Sequence, residues 1–113
     1  MPHCIIEYTA NADIDIKNLI DVAFESVDQS GLFDRSAIKA RAIRYEHYKS
    51  GQSRDDYIHI TIKILSGRNA AQKKHLSDVV LEKVAPHIAN IKSLTVDIVD
   101  MDRASYGKLL NND

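Results

Sequence analysis

Polar and apolar residues alternate along four short stretches of the chain, as they do in β-strands with one buried face. The clearest stretch is 57–65, YIHITIKIL, where isoleucine takes every second position and Tyr, His, Thr and Lys take the positions between. Stretches 3–9, 38–46 and 94–99 alternate in the same way, least regularly in 38–46. The pattern predicts four strands.

Two stretches between these strands have apolar residues at steps of three and four, the spacing of an amphipathic helix. The first covers 16–27 and the second includes the apolar residues of 76–84. Asn69 precedes Gln72 by three positions, which fits a capping box at the start of the second helix. Pro86 should kink or end that helix, because proline lacks the backbone N–H that the helix needs.

The two halves of the chain show the same order of elements when one is shifted by 56 positions onto the other. We therefore predict an α+β fold in a single domain, 1–113, with β-α-β repeated twice. The pseudo-repeats lie at about 2–48 and 57–100 and the polar linker at 49–56. Right-handed crossovers place both helices on one face of a four-stranded sheet. Subunit association is the simplest cover for the other face, although a solvated face is also compatible with the pattern.

Composition limits the function classes. The 15 basic and 16 acidic residues nearly cancel, and no like-charge block indicates a partner nucleic acid or a membrane surface. Cys4 is the one cysteine, which excludes an intrachain disulfide. The first residues lack the pattern of a signal peptide, and no apolar run approaches the roughly 20 residues of a membrane span. We expect a soluble cytoplasmic domain.

Pro2 is the first candidate for chemistry. If Met1 is removed, Pro2 carries a free secondary amine, which can act as a base or a nucleophile. If Met1 stays, the nitrogen is an amide, and Pro2 is an ordinary proline at the first position of a strand. A small second residue normally permits removal of the initiator methionine.

Cationic side chains are the second candidates. Arg68 lies in SGRN, a turn between a predicted strand and a predicted helix, where a helix N-terminus and a guanidinium together favour a carboxylate. Lys39 and Arg41 lie two positions apart in the second strand and so share one face. These cations either bind an acidic substrate or are simply solvated or ion-paired, as cations on strands commonly are. Both interpretations stay open.

No metal site is expected from the histidines. His3 and His59 occupy near-equivalent positions in the two halves and could be neighbours, but two imidazoles without a third ligand make a poor zinc site. Cys4 has apolar neighbours in a predicted strand, which favours an inert buried thiol.

Three features together resemble the tautomerase superfamily: Pro2 in MPHCIIEY, the stretch IHITIKILSGRNAAQKK and the duplicated β-α-β plan. Within it, the PH-I-E opening, GLFDRSAIKAR and TIKILSGR are most similar to the 5-carboxymethyl-2-hydroxymuconate isomerases. The similarity spans nearly the whole chain and is weakest in the linker and in the tail SYGKLLNND.

This resemblance implies a homotrimer without metal or organic cofactor. It implies an isomerase of aromatic catabolism that moves a proton in a small acidic substrate, a 2-hydroxymuconate-type dienol, with Pro2 as the base. It also implies that Arg68 and a cation of the second strand bind that substrate. The family's usual arginine aligns best with Lys39, which lacks the bidentate fork. Arg41, two positions further along, is the other choice.

Two alternatives remain from the sequence. The order β-α-β-β-α-β also describes ferredoxin-like domains, many of which sense small molecules and need no free amine at Pro2. RNA binding is disfavoured by the slightly acidic balance and the absence of an RNP-type aromatic cluster. The other alternative is a trimeric tautomerase homologue that acts on another enol, such as a phenylpyruvate-like acid.

Overall fold

Two β-α-β units share one sheet in a computed structural model that describes residues 1–52 and 55–111. The elements are β1 (His3–Thr9), α1 (Ile16–Gln29), β2 (Lys39–Tyr45), β3 (Tyr57–Leu65), α2 (Ala70–Val84) and β4 (Ser93–Met101). The predicted fold class is confirmed. Positions 53–54 of the predicted linker lie outside the described residues, and the boundaries of the two repeats stay a prediction. Among the described residues, no helix has the length and apolar character needed to cross a membrane.

The helices begin and end where side chains satisfy or interrupt their backbone hydrogen bonds. The carboxylate of Asp15 accepts a backbone N–H of the first turn of α1. At the start of α2, Asn69 and Gln72 each accept the other's backbone N–H at 2.9 Å, so the predicted capping box is confirmed. The α-helix α2 ends at Val84, and Pro86 lies in the 3-10 turn that follows, as the missing N–H of proline requires.

The strand order is β2-β1-β3-β4, with a parallel pair in each unit and the antiparallel pair β1–β3 in the middle. The two units use the same register, since His3 faces Lys39 and Tyr57 faces Ser93. In each unit the two strands are direct neighbours. This differs from the split β-α-β arrangement of ferredoxin-like domains.

The core lies between the sheet and the two helices. Alternate residues of β1 and β3 point into it, and all four isoleucines of β3 are fully buried. The helices contribute Leu19, Ala23, Val27, Leu76, Val80 and Val84. Burial of one of these leucine or valine side chains stabilises the fold by about 1.5–3 kcal/mol. The periodicity that predicted the elements therefore also identifies the core.

Cys4 is fully buried in this core, and burial raises the pKa of its thiol to about 12. The interpretation of Cys4 as a buried thiol is confirmed. We expect a disulfide reagent at pH 8 to label it only as the protein unfolds, because the thiolate is the reactive form. Labelling in a guanidinium series should follow the loss of circular dichroism. Since no other cysteine is present, rapid stoichiometric labelling of folded protein would contradict this assignment.

The other face of the sheet carries no helix among the described residues. It presents a mixture of polar and apolar side chains, with Ile43 47% exposed and Tyr45 36% exposed on the edge strand β2. The Tyr45 hydroxyl donates a hydrogen bond to Glu7, and His59 lies 2.6 Å from the hydroxyl of Thr95. We call this face the open face. Some of its polar side chains form hydrogen bonds with one another, and it still exposes apolar surface.

Candidate active site

A cavity of about 410 Å³ opens beside the amino terminus. The connection between α1 and β2, the end of β3 and the segment after β4 all contribute to its walls. Among the described residues, the charged side chains of its lining are Arg68, Arg103, Lys108 and the carboxylate of Asp34. Met1, Tyr106 and the apolar side chains of Leu32, Phe33, Ala37 and Leu65 complete the lining. The cavity therefore combines a positive charge balance with an apolar wall.

The first two residues are fastened to the start of β2. The Met1 ammonium donates a hydrogen bond to the Ala37 carbonyl at 2.7 Å, and the Lys39 backbone N–H donates to the Pro2 carbonyl at 3.0 Å. The Pro2 ring is fully buried. Partial burial, and then the charges of Lys39 and Lys108, hold the pKa of the Met1 amine below its usual value of 8.0. The amino terminus is thus placed at the cavity and its charged form is disfavoured.

Arg68 is held in place from two sides. Its Nη2 donates to the Leu32 carbonyl at 2.6 Å, and its guanidinium lies 4.8 Å from the centre of the Phe33 ring. Gly67 precedes it with φ +130°, a conformation that side-chain-bearing residues rarely adopt. Because a guanidinium has five N–H donors and Leu32 uses one, Arg68 can also bind an anion in the cavity.

The turn before α2 is less available to anions than the sequence pattern indicates. The backbone N–H groups of Asn69 and Gln72 are already used in the capping box. The side-chain oxygens of Asn69 and Gln72 accept these two N–H groups of the helix end. At this turn, an anion would therefore bind mainly to the Arg68 side chain.

Lys39 and Arg41 lie on the open face near the amino terminus. Within the part of the chain that the structure describes, neither of them lines the cavity. Lys39 acts on the Met1 amine through its charge. Arg41 Nη1 lies 3.1 Å from Nδ1 of His3. The structure thus places Arg68 in the cavity that Met1 also lines, and it places Lys39 and Arg41 outside that cavity, near the amino terminus.

Sequence reasoning missed the cavity residues that follow β4: Arg103, Tyr106 and Lys108. A turn holds this segment, since the Tyr106 N–H donates to the Asp102 carbonyl at 3.1 Å and Arg103 Nε donates to the Ser66 carbonyl at 3.1 Å. The segment has no helix or strand periodicity. An aromatic residue between two cations in RASYGK was the available signal.

The histidines do not form a metal site among residues 1–52 and 55–111, where no group of three potential ligands comes together. The idea that His3 and His59 are neighbours is wrong. In the antiparallel pair, His3 faces Lys63 and His59 faces Glu7, so the two histidines lie at different levels of the sheet.

Solved structures place this fold among the tautomerases. A fused 4-OT symmetric trimer matches with a TM-score of 0.78 at 15% identity, over 94% of this chain and 90% of that chain. A 5-carboxymethyl-2-hydroxymuconate delta-isomerase matches with a TM-score of 0.80 at 17% identity, over 99% of this chain and 89% of that one. A 5-carboxymethyl-2-hydroxymuconate isomerase from Deinococcus radiodurans R1 has a TM-score of 0.76 at 24% identity, over 97% and 90%. The chain has the tautomerase fold.

The sequence profile of the 5-carboxymethyl-2-hydroxymuconate isomerases matches residues 2–108, and the chain belongs to this family. The 5-carboxymethyl-2-hydroxymuconate Delta-isomerase of Escherichia coli is 25% identical over 93 residues, which cover 79% of this chain and 74% of that protein. The predicted membership of the tautomerase superfamily and the prediction of an isomerase are confirmed.

Proposed function

We propose that this isomerase acts in aromatic catabolism on an acidic 2-hydroxymuconate-type dienol, with the Pro2 nitrogen as the base once Met1 has been removed. The observation that carries the proposal is the cavity at the amino terminus, where an amine of lowered pKa meets three cationic side chains. The match of the 5-carboxymethyl-2-hydroxymuconate isomerase profile to residues 2–108 supports the choice of substrate class.

The proton transfer needs one amine. In the free form, the lone pair of the Pro2 nitrogen takes the proton of the dienol hydroxyl. The O–H bond breaks, the C=O bond forms and the double bonds shift by one position. The ammonium then returns the proton to the carbon at the far end of the diene, so the base is regenerated. Burial and nearby positive charges lower the pKa of the Met1 amine. Because Pro2 is the next residue, they should lower the pKa of the Pro2 amine in the same way.

The cations have a separate task. Arg68, Arg103 and Lys108 can bind the carboxylates of the substrate and stabilise the dienolate oxygen as its charge develops. The apolar wall at Phe33 suits the carbon skeleton. We assign the main carboxylate contact to Arg68, because it is held on two sides and presents a planar fork.

The two cations of β2 should differ in their kinetic effects. We assign Lys39 to the pKa of the base, because its charge acts on the amine, whereas Arg41 contacts His3. If either cation also binds the substrate, its replacement by alanine raises KM as well. Lys39→Ala and Arg41→Ala, measured side by side, separate these roles.

Substrate charge tests the proposed function. Processed protein should convert a dienol with carboxylates at both ends at least about tenfold more efficiently than a phenylpyruvate-like enol with one carboxylate, since the second carboxylate adds a charged hydrogen bond. The measurement is kcat/KM for both compounds. A preference for the phenylpyruvate-like enol would overturn the substrate assignment and leave the other tautomerase chemistry in its place.

We also propose a homotrimer. The open face exposes apolar Ile43 beside Tyr45, and one solved structure of this fold is a symmetric trimer. We expect sedimentation equilibrium at micromolar concentration to give about three times the chain mass of 12.7 kDa. Ile43→Lys should weaken the assembly if this face is buried in it. A monomeric wild-type protein would contradict the assignment.

A further inference from the structure

Three side chains form a hydrogen-bonded row that ends in the cavity. Nη1 of Arg41 lies 3.1 Å from Nδ1 of His3, and Nε2 of His3 lies 3.0 Å from the hydroxyl of Tyr106. Tyr106 lines the cavity together with the amino terminus. The row therefore connects the open face of β2 to the site where the substrate would bind.

The direction of these hydrogen bonds follows from the chemistry of the groups. A guanidinium has no acceptor, so Arg41 donates and Nδ1 of His3 accepts. An imidazole that accepts at Nδ1 is neutral and carries its proton on Nε2. The Nε2–H group donates a hydrogen bond to the Tyr106 hydroxyl oxygen, which accepts it. The Tyr106 O–H is then left to donate to another group, and the cavity lies beside it.

The surroundings of His3 support the neutral imidazole. Partial burial is the largest cause that lowers its pKa, followed by the charges of Arg41, the amino terminus, Lys39 and Lys63. All of these charges are positive, and they face the ring from the amino terminus, β2 and β3. Protonation of His3 would place a further positive charge among them. It would also turn Nδ1 from an acceptor into a donor, which breaks the hydrogen bond from Arg41.

The Tyr106 side chain is held at both ends. A turn fixes its backbone through the Asp102 carbonyl, and His3 fixes its hydroxyl. A donor that is already oriented loses little conformational freedom when the substrate arrives. This distinguishes Tyr106 from Lys108, which is exposed on the same segment.

We propose that Tyr106 is a further substrate-contacting residue of this isomerase, whose hydroxyl donates a hydrogen bond to the substrate oxygen on which negative charge develops. His3 and Arg41 are positioning residues that keep this hydroxyl a donor. The proposal rests on the proposed function, because it requires the Pro2 base to form an enolate whose oxygen lies in the cavity at the amino terminus.

The test uses processed full-length protein and the dicarboxylate dienol. Tyr106→Phe should lower kcat/KM at least about tenfold, because it removes a hydrogen bond to a charged oxygen. The midpoint of the pH–rate profile and the sedimentation behaviour should stay unchanged. Tyr48→Phe is the matched control. It removes a hydrogen-bonded hydroxyl that contacts Asn11 and Asp56 near the far end of β1, and it should keep wild-type kcat/KM.

His3 variants separate positioning from a general structural effect. His3→Gln can still accept from Arg41 through its carbonyl and donate to Tyr106 through its amide, so it should retain most of the activity. His3→Leu can do neither and should lose as much as Tyr106→Phe. The double variant His3→Leu/Tyr106→Phe should have the same kcat/KM as Tyr106→Phe alone. Both changes remove the same interaction, the hydrogen bond from Tyr106 to the substrate.

The outcomes distinguish the two levels of the proposal. An active wild-type enzyme with Tyr106→Phe at full kcat/KM would overturn the role of Tyr106 and leave the proposed function intact. Additive losses in the double variant would overturn the positioning role of His3. A processed wild-type protein without dienol isomerase activity would overturn the proposed function and this inference together.

Discussion

Isomerase activity will fall by at least about a hundredfold when the Pro2 nitrogen is blocked, either by a retained Met1 or by an acetyl group on the processed chain. The reason is that an amide nitrogen has no basic lone pair, and general base catalysis typically contributes factors of this size. Neither block changes the core, so the oligomeric state should be the same. Intact-mass spectrometry of each sample, paired with kcat/KM on the dienol, makes the measurement.

The pH dependence provides the second part of this test. The base must be unprotonated to accept a proton, so kcat/KM should rise with pH through the pKa of the Pro2 amine. That pKa should lie below the ordinary value for an α-amine, since burial and then the charges of Lys39 and Lys108 disfavour the ammonium at the amino terminus. Removal of either positive charge, by Lys39→Ala or Lys108→Ala, should move the midpoint to higher pH.

Pro2→Ala separates the nitrogen from the ring. It leaves a primary amine at the processed terminus, which is still basic but less constrained, so activity should drop without vanishing. Equal rates from processed and Met1-retaining samples would contradict the assignment and leave Pro2 as an ordinary proline before a strand.

Replacement of Arg68 should have the next largest effect. We expect Arg68→Ala to lower kcat/KM at least about tenfold, or about 1.4 kcal/mol, because a charged hydrogen bond to a substrate carboxylate is lost. Arg68→Lys should fall between the wild type and the alanine variant. It keeps the positive charge but loses the fork and the stacking on Phe33.

Arg35 offers a matched control for this experiment. Its guanidinium also lies over an aromatic ring, 4.9 Å from the centre of Phe24, and it pairs with Glu25 and Asp28. Among the described residues it does not line the cavity. Arg35→Ala should therefore keep wild-type kcat/KM, and thermal melts of both variants would show whether loss of the stacked arginine alters stability. Full activity of Arg68→Ala on the dicarboxylate would make Arg68 a structural residue only.

Much of the fold was predictable because its signals are local. The alternation in 57–65 reflects the extended backbone, in which successive side chains point to opposite faces, and it identified both β3 and the four isoleucines of the core. The capping box of Asn69 and Gln72 spans a single helical turn. Pro2 and Arg68 were found as candidates because each lies in a short motif at the end of a predicted strand.

The composition of the cavity was not predictable in the same way. Tyr106 and His3 are separated by 103 positions, and no periodicity connects them. Their contact depends on the register of the sheet and on the turn at Asp102, which directs the last segment back to the amino terminus. The same register separates His3 from His59, although the two halves of the chain align them.

The roles of Lys39 and Arg41 show the same division. Their positions two apart in the sequence correctly place both on one face of β2, because side-chain direction in a strand alternates locally. Which of them lies beside the amine and which beside His3 depends on how β1 pairs with β2. Local hydrogen bonding and hydrophobic periodicity therefore specify the elements and the core, whereas the chemical environment of each site residue arises from long-range packing of segments that are distant in the chain.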